Sequence, residues 1–224
     1  MSTASEKRRR LRERLNQDRI LLLPGVYDGI CARIVEQAGF DAVYMTGSGT
    51  AMARYGVPDI GLVTMSEMVQ AVNLIADAVD IPLVADADTG YGNALNVMRT
   101  IEEVEHAGAS AASIEDTVLP LRFGASGGDE VLSLEESVGK MKAAVAARRD
   151  PSFVVLGRTS ALKAEGLEGA CRRAKAYAAA GVDAIFVVGL ETVEQAAAIH
   201  AAAGIPLVIG TAPAAITADL LAPA

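Results

Sequence analysis

One phrase recurs along the chain and restricts what it can fold into. Ala38-Gly39-Phe40-Asp41-Ala42, Ala107-Gly108-Ala109-Ser110-Ala111, Ala180-Gly181-Val182-Asp183-Ala184 and Ala203-Gly204-Ile205-Pro206 repeat a single event. A helical stretch stops on glycine, two or three residues turn, and an apolar strand begins. Strand signals fall at 20–23, 42–45, 81–86, 111–114, 153–156, 184–188 and 206–209. Helical signals lie between them, at 28–38, 66–79, 93–107, 133–148, 167–180 and 192–203. Such alternation, with no pair of strands reading as a hairpin, specifies a parallel sheet with helical crossovers.

Two parallel architectures compete. A dinucleotide-binding sheet needs a GxGxxG turn, and Thr46-Gly47-Ser48-Gly49 is not one. Polar residues instead follow many strands: Thr46, Asp86, Asp88, Glu115 and Arg158. A (β/α)8 TIM barrel gathers its site from all those strand ends. The sequence therefore predicts one barrel domain over 1–224, with an N-terminal helical extension at about 5–17. Seven strands are visible, so the last βα unit is expected to be missing, with 217–221 as the helix leading into it.

The stretch Ile81-Pro82-Leu83-Val84-Ala85-Asp86-Ala87-Asp88-Thr89-Gly90-Tyr91-Gly92 is the chemical centre of this reading. Side chains at i and i+2 of a strand share a face. Asp86 and Asp88 would then crowd two carboxylates at one strand end, where a divalent cation is the natural partner. All-oxygen ligands suit Mg²⁺ or Mn²⁺ better than zinc. A turn or helix-capping aspartate is the plainer alternative, above all for Asp88. Glu115 can join the metal set or cap a helix. Arg158 can clamp a substrate anion bidentately, pair with Glu115, or do both. The Thr46-Gly47-Ser48-Gly49 loop offers hydroxyls and backbone N–H groups as a nest for a carboxylate or oxyanion. Together the parts suit an α-oxo acid or its enolate, with the cation as Lewis acid.

Composition narrows the classes. The net charge is −8, and aromatic residues make up 4% with no Trp. This reads against nucleic-acid binding and base stacking. The basic stretch Lys7, Arg8, Arg9, Arg10, Arg12, Arg14 leaves two readings, a nucleic-acid arm or a solvated helix across the barrel end. Cys31 and Cys171 lack metal or redox spacing and read as reduced cytosolic thiols. His106 and His200 sit near helix C-termini. No apolar run approaches the ~20 residues of a membrane span, and the N-terminus lacks the h-region of a signal peptide. The expected location is the cytoplasm.

In Pro24-Gly25-Val26-Tyr27-Asp28, Tyr44-Met45-Thr46-Gly47-Ser48, Gly56-Val57-Pro58-Asp59, the aspartate stretch, Ile114-Glu115-Asp116 and Gly157-Arg158-Thr159, the chain resembles the isocitrate lyase/phosphoenolpyruvate mutase superfamily. The resemblance implies Mg²⁺ (or Mn²⁺) at Asp86, Asp88 and Glu115. It implies substrate binding by Thr46, Gly47, Ser48, Asp59, Arg122 and Arg158, and catalytic roles for Tyr44, Glu115 and Arg158. It implies a homotetramer exchanging a C-terminal helix, and a small anionic oxo-acid or hydroxy-acid as substrate. The departures are equally specific. Where lyases of the superfamily carry Lys-Arg-Cys-Gly-His, this chain has Leu121-Arg122-Phe123-Gly124-Ala125. Ser160 replaces an Asp, Val188 a Glu and Gly210 an Asn. The expectation is a lyase or decarboxylase of an α-oxo or 2-hydroxy di- or tricarboxylic acid, working through a pyruvate-type enolate. Phosphonopyruvate or carboxyphosphonoenolpyruvate chemistry, as mutase or hydrolase, is one alternative. A non-catalytic metabolite-binding paralogue is the other.

Overall fold

The computed structural model describes residues 2–121, 124, 130–210, 213, 214, 216 and 217. Seven strands run β1 (Gly25–Val26), β2 (Val43–Met45), β3 (Leu83–Asp86), β4 (Ala111–Glu115), β5 (Val154–Thr159), β6 (Ala184–Val187) and β7 (Leu207–Ile209). They pair in sequence order, every pair parallel. The helices are α1 (Ala4–Leu15), α2 (Gly29–Gln37), α3 (Gly47–Thr50), α4 (Met65–Ala78), α5 (Ala94–His106), α6 (Leu134–Ala147), α7 (Ala161–Ala180) and α8 (Val193–Ala203). A π-helical turn, Ala51–Tyr55, prolongs α3.

Strand parity divides the apolar residues into two cores. Outward residues such as Met45, Leu83, Ile114, Val155 and Ile185 pack under the helices. Inward residues Tyr44, Val84, Ala111, Val154, Leu156, Ala184 and Phe186 form a second cluster with Leu11 of α1. That inner cluster exists because the sheet curls. Tyr44 of β2 and Phe186 of β6 meet edge to face with ring centroids 5.7 Å apart. In a flat sheet, four strand spacings would separate them by about 19 Å. The curl does not close: β7 is only half-buried and has no ladder to β1 among the described residues. The described strands therefore form an open, curled α/β sheet of the TIM-barrel kind. The helix anticipated at 217–221 lies almost wholly outside the described residues, and Thr217 itself is not helical.

Three expectations need correction. Residues 20–23 are not a strand. Leu21 and Leu23 face the inner cluster while Ile20 and Leu22 are exposed. The alternation is strand-like, but the ladder to β2 begins only past Pro24, at Gly25↔Tyr44. Thr46-Gly47-Ser48-Gly49 is not a loop but the start of α3, because Thr46 Oγ1 accepts from the Gly49 N–H at 3.0 Å and caps it. The helix read at 167–180 stands: a break at Gly166 (φ 70°) separates it from a short helical segment that starts at Ala161.

The basic α1 does lie across the end of the sheet, as one of its two readings has it, but its inner face is not solvated. Lys7 and Arg8 are buried, and Leu11 enters the inner cluster. Lys7 Nζ donates to the carbonyls of Ala76 and Val79 at the end of α4. Arg8 donates to the carbonyls of Glu105 and Ala109 at the end of α5 and pairs with Asp150 at 3.1 Å. Arg12 reaches the Phe153 carbonyl and Asp183. Cations thus satisfy the orphan carbonyls of helix C-termini. The charge that suggested a nucleic-acid arm is spent sealing the N-terminal end of the sheet.

The candidate active site

The inward parity that fills the middle of the sheet with apolar side chains ends in polar ones at the strand C-termini. Val84 is followed by Asp86, Ser113 by Glu115, and Leu156 by Arg158. The register sets Asp86 beside Ser113 and Glu115 beside Arg158. Arg158 spans the gap: Nη1 lies 3.1 Å from Asp86 Oδ2, and Nε lies 2.9 Å from Glu115 Oε2. Its guanidinium also stacks 5.2 Å from the Phe186 ring centroid. Below this layer the Tyr44 and Ser113 hydroxyls are 3.0 Å apart.

Asp86 is tied down on both oxygens. Oδ2 accepts from the Gly47 N–H at 3.2 Å, and Oδ1 accepts from the Asp88 N–H at 3.2 Å. Glycine suits the first contact, since a Cβ at residue 47 would sit 3.1 Å from that same Oδ2 and push it aside. Thr46, Gly47 and Ser48 are thus brought to the site, but the Thr46 hydroxyl is committed to capping α3.

Asp88 does not arrive by strand alternation. The strand stops at Asp86, and Asp88 has φ 49°, in the left-handed region that non-glycine residues seldom occupy. A turn carries it to the other carboxylates, not the i, i+2 geometry of an extended chain. Burial, then Asp86, Glu115 and Asp59, push its pKa to about 8. Burial raises Glu115 to about 7; Arg158 opposes the rise, and Asp86 adds to it. Burial would lower the Arg158 pKa, but Asp86 and Glu115 outweigh it and hold the guanidinium charged. Burial and Asp86 raise the Tyr44 pKa well above its ordinary value, so that hydroxyl keeps its proton. Asp59 is exposed at the rim, yet partial desolvation and Asp86 raise its carboxyl. Arg122 and Phe123 lie outside the described residues.

The fit to a cation is specific in kind. Among the described residues, no three acidic, histidine or cysteine side chains close on a single point as a direct cage. Direct ligation by Asp86, Asp88 and Glu115 together is therefore not what this arrangement offers. Gathered carboxylates, with Asp88 and Glu115 raised, nonetheless favour a cation. Mg²⁺ keeps several waters and takes one or two carboxylates directly. The residues fit a hydrated divalent ion.

Two residues were missed from sequence. Ser113 could have been found, because it stands two before Glu115 on the same strand face. Lys140 gave no signal. It is 3% exposed on α6 and donates to the Thr89 carbonyl at 2.9 Å.

A curled parallel sheet with its polar cluster at the strand C-termini defines an α/β-barrel type of enzyme. The model of one family, described as phosphoenolpyruvate phosphomutase, matches residues 11–224. Oxaloacetate decarboxylase of Paraburkholderia xenovorans is 45% identical over 94% of this chain and 70% of its own length. A 2,3-dimethylmalate lyase of Eubacterium barkeri is 45% identical over 87% of the chain and 66% of its own. Among solved structures, oxaloacetate acetylhydrolase with the inhibitor 3,3-difluorooxalacetate superposes with a TM-score of 0.88 at 37% identity, covering 99% of this chain and 77% of that one. Phosphonopyruvate hydrolase in complex with oxalate and Mg²⁺ gives 0.85 at 36% identity, with the same coverage. The chain belongs to the phosphoenolpyruvate phosphomutase family, within the PEP mutase/isocitrate lyase superfamily. By that membership it is an enzyme of the carbon–carbon lyase class.

Proposed function

We propose that the chain is a divalent-metal-dependent lyase or decarboxylase that cleaves a carbon–carbon bond in a small α-oxo or 2-hydroxy diacid, through a pyruvate-type enolate. The observation that carries this reading is Arg158 set between Asp86 and Glu115 above the Tyr44–Ser113 pair. The named activities of the relatives support it. Asp86, Asp88 and Glu115 would hold Mg²⁺ or Mn²⁺, partly through water, with Asp59 at the rim. When bound, the ion supplies Lewis-acid stabilisation of charge developing on the oxo-acid oxygen.

The chain's own residues do the rest. At the start of α3, the Ser48 N–H would meet the oxo-acid carboxylate, those of Thr46 and Gly47 being committed to the Val26 carbonyl and Asp86. Arg158 keeps its charge and takes the remote carboxylate. Tyr44, oriented by Ser113, keeps its proton and donates a hydrogen bond to the substrate. Phe186 and Val188 make one wall apolar, which suits a short or alkylated substrate better than a tricarboxylic one. We read the chain as a single barrel domain whose eighth βα unit would fill the gap between β7 and β1. We read it as a cytoplasmic homo-oligomer, since Ile30, Ile34, Leu74 and Leu95 leave apolar surface exposed on α2, α4 and α5.

Purified protein with Mg²⁺ should release pyruvate or a related oxo acid from a panel of oxaloacetate and alkylated malates. Asp86→Ala should abolish that release. Equal inertness of wild type and D86A across the panel would overturn the reading. The likeness to phosphonopyruvate hydrolase supports a carbon–phosphorus reading, which phosphorus NMR of phosphonopyruvate separates from the first. Oxalate binding without turnover of any of these compounds would identify a non-catalytic paralogue.

A further inference from the structure

The turn that delivers Asp88 is a costly piece of backbone. Asp88 and Tyr91 both have positive φ, 49° and 59°. Conformations of this kind persist only where the surroundings over-determine them. Space is as tight as the dihedrals. A Cβ at Gly90 would lie 2.4 Å from Val97, and one at Gly92 would lie 2.3 Å from Asn96.

The four carbonyls from Ala87 to Gly90 each have a donor. The Ala87 carbonyl accepts from the Gly90 N–H at 2.9 Å, and the Asp88 carbonyl accepts from the Glu115 N–H at 2.8 Å. The Gly90 carbonyl accepts from Thr100 Oγ1 at 3.1 Å. The Thr89 carbonyl accepts from Lys140 Nζ at 2.9 Å. Three of these donors are neutral and local to the β3–α5 and β4 segments. The fourth is an amine brought by α6, buried to 3% exposure. Burying a lysine is expensive, and a backbone carbonyl alone is a poor return for it. Burial lowers its pKa, and the charges of Glu136, of its own helix, and Glu115, of the site, oppose that.

We propose that Lys140 is a positioning residue of the carboxylate cluster: by holding the Thr89 carbonyl it fixes the turn that presents Asp88 beside Asp86 and Glu115. The inference rests on the metal reading above and adds to it a residue from outside the strand ends. Lys140 acts through the Thr89–Gly90 peptide, one residue past Asp88, as outer partners orient metal ligands elsewhere, where their loss weakens metal binding about 10–100-fold.

The probe is Mn²⁺, with free ion followed by electron paramagnetic resonance in titrations of the full 224-residue chain. Wild type should bind Mn²⁺; if it does not, the metal reading fails and the inference falls with it. Given wild-type binding, Lys140→Met should weaken Mn²⁺ about 10–100-fold in protein that is folded by circular dichroism. Removing a cation near Glu115 would by charge alone tighten the ion, so the sign separates positioning from electrostatics. Lys140→Arg, which keeps a donor and a charge, should recover most of the affinity. Folded K140M that binds Mn²⁺ as tightly as wild type, or more tightly, overturns the proposal while leaving the metal site intact. Where K140M does not fold, Lys140→Gln carries the same test. Its amide stops one bond short of the carbonyl, so it should show the same loss, and unchanged Mn²⁺ affinity in K140Q overturns the proposal equally.

Discussion

Arg158 does at residue scale what no other side chain in the site can do. Two of its nitrogens face two carboxylates from two strands, while its plane lies on Phe186. A lysine ammonium is a point charge and cannot span both acids or stack in the same way. Arg158→Lys is therefore expected to lower kcat for oxo-acid cleavage by about 10²–10³, the usual loss for one electrostatic contact at a reacting centre. Steady-state pyruvate release by R158K measures it, and turnover within threefold of wild type would remove Arg158 from the proposed machinery. The residue was legible in sequence because it ends an inward-facing strand with a charge. Asp86 and Glu115 were legible for the same reason. The geometry that joins Asp88 to them was not. An aspartate two residues past another looks extended on paper, and only the glycine-rich packing against α5 turns it left-handed. Lys140 was invisible because periodicity along a helix gives the face a side chain occupies, not the carbonyl it meets.

At the scale of elements, α1 shows how a charge pattern can mislead. Six basic residues in eight positions suggested a solvated or nucleic-acid-binding helix. In the fold, the cations are consumed by carbonyls at the ends of α4 and α5 and by Asp150 and Asp183. Arg8→Met removes the guanidinium that meets the Glu105 and Ala109 carbonyls and pairs with Asp150. It should cost about 3–5 kcal/mol in chemical denaturation, as breaking a buried pair does. Exposed Arg9→Ala should change stability by less than about 0.5 kcal/mol. Equal effects of the two would show that α1 is not docked as described. The same contact predicts an acid limb. Burial alone would raise the Asp150 pKa, but the Ser5 hydroxyl, the Ser152 N–H and Arg8 pull it down to about 2. A carboxyl depressed on folding stabilises above its unfolded pKa, and that stability fades as pH falls through the folded one. Stability lent by Asp150 should thus be complete above about pH 5 and lost toward pH 2. Asp150→Asn should flatten that part of the stability–pH curve. The helix–glycine–strand phrase placed nearly every other element within a residue or two. It failed at residues 20–23, where apolar alternation continues into a segment that no neighbouring strand pairs with.

For the molecule as a whole, the two ends of the sheet carry separate tasks. Basic side chains of α1 hold the end where the strands begin, and acidic side chains with Arg158 occupy the end where they finish. Between them, successive residues of one strand belong alternately to the helix-covered layer and to the interior. A saturation scan of β3 to β6 scored separately for cellular abundance and for turnover should resolve into two interleaved combs. Positions such as Leu83, Ile114, Val155 and Ile185 should lose abundance, and Asp86, Glu115 and Arg158 should lose turnover while abundance holds. New chemistry could then be sought by varying one comb at the finishing end alone, with the other left to keep the protein standing.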